Sequence, residues 1–245
     1  AYNRNNKITK IMVNKKEQKG AAEAINTLNN PESFFMKNKK AILTVIIAVV
    51  VIIAGAILYH SYVAVPQEQE ASTLLAKGQE YMNMEQYDKA LKGDGAGYAG
   101  FLKIASDYSG TDAGNLANLY AGLCYAHQQK PDWKSALKYV EEFSTSNDML
   151  ISPASQMALG DIYVNNDQLD KGVECFKKAA DMADSKAEDN TNTSIAPLAM
   201  KKAGIILESQ GKKEEALKIY KDIKAKYVNT PIYQEIDKYI ERASN

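Results

Sequence analysis

The chain is poor in the residues that most often carry chemistry. Of its 245 residues, two are cysteine and two are histidine. Cys124 and Cys175 stand 51 positions apart, which is neither a zinc spacing nor a CxxC redox pair. His60 and His127 are too few and too distant to suggest a shared metal site. No Ser/His pair, HExxH or P-loop pattern occurs. The stretch Gly93 to Gly100, GDGAGYAG, is glycine-rich, but it follows a helical pattern and lacks a Lys-Ser/Thr. It reads as a turn rather than a phosphate loop. An enzyme is therefore not expected, and neither is a catalytic residue, a metal, a cofactor or a small-molecule substrate. A basic surface is missing too. Residues 67–245 hold 21 Lys/Arg against 27 Asp/Glu. Nothing there would neutralise nucleic-acid phosphates, so nucleic acid is not an expected partner.

One kind of residue is plentiful in one place. No charge occurs between Ala41 and Gln67, and Ala41 to Tyr59 is almost entirely Ala, Ile, Leu and Val. As a helix those 19 residues rise about 28 Å, close to the ~30 Å of bilayer hydrocarbon. The run exceeds the ~7–15 apolar residues of a signal peptide, and some 40 residues precede it. Ala64-Val65-Pro66 is a poor cleavage site, and no cysteine follows for lipoprotein processing. Ile, Val and Leu cover every side rather than one stripe, which argues against a core helix. The expectation is an uncleaved transmembrane helix over 41–65. Tyr59 and Tyr62 sit where an interfacial aromatic belt would lie. Gly55, with Ala54 and Ala56, offers small residues for packing within the membrane.

Orientation follows from the flanks. Residues 1–40 carry nine Lys/Arg against three Glu, and Lys37, Lys39 and Lys40 border the run, whereas Glu68 and Glu70 follow it. The positive side stays in the cytoplasm. Residues 1–40 are expected to be cytoplasmic, with the stretch 1–11 a candidate extension before Met12. Residues 66–245 are expected outside, in the periplasm if the cell is a two-membrane bacterium anchoring this chain in its inner membrane.

After Glu68 no alternating β-branched segment appears, and Ala, Leu, Lys, Glu and Tyr read as helix. A pattern recurs there. Gly160, Tyr163, Gly172, Phe176 and Ala179 are matched by Gly204, Leu207, Ala216, Tyr220 and Ile223 at the same offsets. Gly122, Tyr125, Ala136, Val140 and Phe143 repeat it with two residues inserted in the turn. Gly78, Tyr81 and Ala90 begin a further copy, in which Phe101 resumes the helix after the glycine-rich stretch. Each copy reads as two antiparallel helices. A small residue lets the backbones approach, and an aromatic fills the groove. One pair cannot bury its apolar faces alone, so neighbours stack. The stretch Ala180 to Pro197 reads as a long linker or an extended helix end. Thr230-Pro231 reads as an N-cap and first helical residue, opening a capping helix with Ile232, Ile236, Tyr239 and Ile240 on one side.

The offsets resemble the tetratricopeptide repeat (TPR), whose period is about 34. Marker glycines here lie 44, 38 and 44 apart, so the linkers are long. The fold expected is all-α: a transmembrane helix, then a TPR-like α-solenoid of about four helix pairs plus a C-terminal capping helix. From about Lys37 onward the chain resembles single-pass membrane TPR proteins of the YfgM type, as found in Bacteroidota-like bacteria. The resemblance rests on the anchor, the Glu-rich neck, and the stretches GQEYM, YDKALKGDGAGYAGFLKIASDYSGTDAGNLANLYAGLCY and YVNTPIYQEIDKYIERA. It implies an ancillary subunit of the Sec translocon, working beside a membrane-anchored periplasmic prolyl isomerase and helping emerging polypeptides. A TPR scaffold for envelope assembly or cell division, bound to another membrane complex, is the alternative.

In such an array the first helices line the concave side. Offsets from the marker glycines put Leu75, Gln79, Met82, Leu116, Leu119, Leu123, His127, Met157, Asp161, Val164, Lys201 and Ile205 there. Apolar and Met-containing, this lining suits an apolar segment or a partner helix. Packing against a neighbouring helix is the competing reading for Leu119, Leu123 and Ile205. Cys124 and Cys175 read as small buried apolar residues, although an exported domain would also allow a disulfide. His127 reads as capping or lining the turn before Pro131.

Overall fold

A computed structural model describes residues 31–245, with side chains from residue 35 onward. What was expected of the stretch before residue 31 lies outside the described residues. The chain divides into two compact units, which meet in sequence between Val63 and Ala64.

The first unit holds helix α1 (Pro31–Tyr59), followed by a π-helical turn (His60–Ala64). Its helical backbone begins ten residues before the apolar run, through Lys37, Lys39 and Lys40. The most apolar window has a mean hydropathy of 3.2 and none of it is buried. Isoleucines and valines are exposed all round, so there is no core-facing stripe. The helix is long and apolar enough to cross a membrane. Gly55 has open space about it, and Tyr59 and Tyr62 are both exposed.

The second unit is helical among the described residues. Its elements are α2 (Val65–Asn83), α3 (Tyr87–Lys92), α4 (Phe101–Asp107), α5 (Asp112–His127), α6 (Trp133–Glu142), α7 (Ile151–Asn165), α8 (Leu169–Lys186), α9 (Ile195–Ser209), α10 (Lys213–Lys226) and α11 (Pro231–Ser244). They form four pairs and a cap: α2 with α3 and α4, α5 with α6, α7 with α8, and α9 with α10. The backbones of consecutive first helices approach one another along the array, while those of consecutive second helices stay further apart, α8 and α10 meeting where Lys226 reaches Asp184. An array built this way curls toward its first-helix side.

The repeat register is visible at atomic detail. A Cβ on Gly160 would sit 2.6 Å from the ring of Phe176, and one on Gly204 would sit 2.3 Å from the ring of Tyr220. Both rings lie sixteen residues beyond their glycine. Only hydrogen at the marker position leaves room for the ring. Gly122 meets Val140 in the same way, two residues later because of its longer turn.

The turns agree as well. The amides of Gln86, Gln168 and Lys212 donate to the carbonyls of Tyr81, Tyr163 and Leu207 at 2.8–2.9 Å, and the amide of Asp132 donates to Tyr125 at 3.1 Å. Glu85, Asp167 and Gly211 occupy one shared turn position with φ of 58°, 59° and 75°.

The first pair departs from this plan. Its second helix stops at Lys92, loops, and resumes at Phe101. The ring of Phe101 then reaches Gly78, filling the place that Phe176 fills in the third pair. Within the loop, Asp94 accepts from the amides of Ala96 and Tyr98 and from the hydroxyl of Tyr81. Tyr98 is buried and donates to the carbonyl of Ala90 at 2.8 Å. Gly100 has φ +87°, and a Cβ there would lie 2.5 Å from the backbone of Leu91 and Gly93. The close return of the chain therefore requires glycine.

Helix α8 runs to Lys186, so the stretch from Ala180 is first helix and then loop. Asp184 near its end accepts from the amide of Asn192, from Lys226 and from Tyr227 at 2.6–2.7 Å. At the far end, Thr230 accepts from the amide of Tyr233, Pro231 opens α11, and Ile236 is fully buried. Ile232, Tyr239 and Ile240 pack beside it.

Candidate interaction surface

The expected lining falls into three groups. Leu75 and Leu119 are core residues, 6 % and 5 % exposed. Met82, Leu116, Leu123, Met157 and Val164 are half-buried and lean on the same clusters with one flank. Ile205 is half-buried on α9.

The polar members face the next repeat. Gln79 donates to the hydroxyl of Tyr120 at 2.7 Å. Asp161 accepts from Lys202 through both oxygens at 2.6 Å. Lys201 donates to Glu235 at 2.5 Å. His127 is exposed at the end of α5, its Nδ1 2.8 Å from the carbonyl of Leu123 and its ring against Tyr87.

Sequence reasoning did not single out the partners of these residues. Tyr120 lies 41 residues after Gln79, and Lys202 lies 41 after Asp161. A second ladder joins the turns. Gln128 donates to Asp88, and Gln210 donates to Asp170, each across 40 residues. Lys212 also donates to Asp170 at 2.8 Å. The signal was present as opposite or complementary polar residues recurring at one repeat length.

Electrostatics follow these bonds. Lys212 and then Gln210 hold Asp170 below its ordinary range. The Tyr81 hydroxyl does most to hold Asp94 well below the carboxylate range, and the amides of Ala96 and Tyr98 add to it. The Arg242 guanidinium lowers Glu208, which also accepts from Tyr220. Burial raises Tyr220, Tyr163 and Tyr227, each of which also donates to a carboxylate. Burial pushes the Cys124 thiol up to about 12 and raises that of Cys175, which is only half-buried. Both thiols are free, and high thiol pKa values make poor nucleophiles.

A cavity of about 580 Å³ opens between the turns of the first two pairs, beside Asp88, Lys92 and Gln128. No group of three or more His, Cys, Asp or Glu is placed to hold a metal among the described residues.

The arrangement joins repeated polar clasps to a curved, half-apolar face. Comparison with known proteins gives it a fold. Residues 153–186 match the tetratricopeptide repeat family, a span covering α7 and α8. No curated protein matches the chain at a significant level. Solved structures do. One is of the nearly identical TPR-like repeats of a Podosopora anserina protein described as a kinesin light chain. It is 12 % identical, with a TM-score of 0.54, over 72 % of this chain and 86 % of that one. A single-substitution form of those repeats aligns with the same identity and TM-score, over 85 % of its length. The chain thus carries a tetratricopeptide repeat within a TPR-like helical solenoid, an architecture that presents a surface to protein partners.

Proposed function

We propose that the protein is a non-enzymatic, membrane-anchored TPR scaffold acting at the site of protein export, as an ancillary subunit of the Sec translocon. The observation that carries the reading is one pairing. An apolar, unburied helix precedes a solenoid whose first-helix side keeps Met82, Leu116, Leu123, Met157 and Ile205 half-exposed. A tether beside a membrane and an adaptable apolar groove together suit transient contact with an emerging polypeptide or a partner helix. The lysines at 37, 39 and 40 support a cytoplasmic N-terminus with the repeats outside. The resemblance to YfgM-type proteins supports the translocon and a membrane-anchored periplasmic prolyl isomerase as partners.

The test is purification of the intact chain from native membranes in mild detergent. Translocon subunits, with or without the isomerase, should accompany it. Recovery of cell-wall or division proteins in their place would move the scaffold to envelope assembly. Recovery of neither would sink both readings.

A further inference from the structure

The repeat unit leaves few large apolar side chains in the open, and they are not scattered evenly. Met84, Met149, Leu150, Ile151 and Val228 are the exposed large hydrophobics after Ala64. Met149, Leu150 and Val228 lie in the segments that lead into α7 and α11, and Ile151 opens α7. Only Met84, in the turn between α2 and α3, lies at the opposite edge.

That edge is where the chain enters the unit. Glu68, in the first turn of α2, accepts from the amides of Asp112 and Ala113 at the start of α5, at 2.7 and 3.1 Å. Asn115, one turn further on, exchanges two hydrogen bonds of 2.8 Å with the backbone of Ser144. These bonds place the segment 143–150 on the same edge as Glu68. Connectivity does the rest. Val63, the last residue before the unit, is five residues from Glu68, and such a stretch spans at most about 18 Å.

The segment is built, not loose. Asp148 accepts from the amides of Leu150 and Ser152 at 2.9 and 3.0 Å, and from the hydroxyl of Ser146 at 2.8 Å. The amide of Ser146 donates to the hydroxyl of Ser152 at 2.8 Å. With the carboxylate turned inward, Met149 and Leu150 are held outward, 61 % and 65 % exposed. Beside the segment a hollow of about 190 Å³ is lined by Leu116, Phe143 and Ile151 and also by Asp112, Asn115, Ser146 and Asp148. Ordered backbone displaying adjacent apolar side chains to water is costly for a soluble surface and signals a contact.

We infer that Met149, Leu150 and Ile151 form an apolar tip that enters the interfacial layer of the bilayer, so the array is held to lipid at a second point. The occupant is the lipid surface because the same edge receives the chain directly after the apolar run. A single weak insertion adds little alone, but beside a covalent tether it acts at high effective concentration. Glu188 and Asp189, in the segment before α9, are exposed acids and remain in water. The contact is thus a tip, not a whole edge. It fixes which way the first-helix face looks. This inference rests on the membrane anchoring proposed above.

The test uses the full chain in lipid vesicles, with Cys124 and Cys175 replaced by Ala. A nitroxide label is placed in turn at Met149→Cys, Met84→Cys and Glu188→Cys. Resistance to alkaline extraction is measured first, because an extractable chain would overturn the anchoring itself. In an integral chain, the label at 149 should gain oxygen collisions and lose those with a water-soluble nickel complex, while labels at 84 and 188 stay water-like. Water-like behaviour at all three would overturn the inference and leave the anchor standing. So would a label at 149 that is shielded only in native membranes containing other proteins, which would make the tip a protein contact. A label at Ile151→Cys should also be shielded, and should return to water when Met149→Ser and Leu150→Ser are added, changes that keep Asp148 and its bonds.

Discussion

The first and third helix pairs solve one packing problem by two routes. In the third pair, α8 runs unbroken and brings Phe176 to Gly160 sixteen residues later. In the first pair the second helix breaks at Lys92, and Phe101 arrives at Gly78 from beyond a glycine loop. The ring and its small partner are kept, while the chain between them is free to change. What the repeat conserves physically is the ring in the groove, not the continuity of the helix that delivers it.

The largest expected effect tests that equivalence. Phe101→Ala and Phe176→Ala should each destabilise the unit by about 3–5 kcal/mol, since both rings are fully buried. Denaturant unfolding measures it, and a cost below about 1 kcal/mol at Phe101 would break the comparison. Next come the glycines. Gly100→Ala forces a Cβ against backbone at positive φ and should cost about 3 kcal/mol. Gly160→Ala meets only a ring and gains helix propensity, so about 1–2 kcal/mol is expected. Phe176→Leu should partly relieve Gly160→Ala, whereas no side-chain change should relieve Gly100→Ala.

Asp94 sharpens the contrast through pH. Its folded pKa lies below its unfolded one, so the unfolded chain binds the proton more readily. The stability it confers is complete above the unfolded value of about 3.9 and is lost as pH falls from there toward the lower folded value. Asp94→Asn should lower the melting temperature at neutral pH and flatten the acid limb of the stability curve. The smallest effect is in the turns. Glu85→Gly and Asp167→Gly, at φ near 58°, should each stabilise by about 0.5 kcal/mol, as Gly211 already does in the fourth pair. A loss of stability at either would mean their side chains matter more than their backbone.

The array could be read from the chain because its determinants are local. Gly160, Tyr163 and Phe176 sit at offsets fixed by two helices and one turn, and Thr230-Pro231 marks a helix start by its own chemistry. Even the inserted turn of the second pair could be counted. The surface was harder to read. The offset that places Leu119 on the first-helix face says nothing of Ile162, with which it shares a buried cluster. Nor does the 3.6-residue period reveal that Gln79, Asp161 and Lys201 are spent on Tyr120, Lys202 and Glu235. Such partners stand one repeat away, beyond any single helix. The apolar tip at Met149 escaped because Met149, Leu150 and Ile151, at the start of a helix, look like ordinary core until Asp148 is seen to turn the first two outward.

The central claim is that the first-helix side receives a partner while the array is held near the membrane. Site-specific photocrosslinking in intact cells tests it most directly, with the photoreactive residue at Leu123, Ile205 or, on the second-helix side, Lys177. The account predicts crosslinks to a translocon subunit or an emerging polypeptide from 123 and 205, and none from 177. Equal capture from 177, or capture from 177 alone, would contradict it.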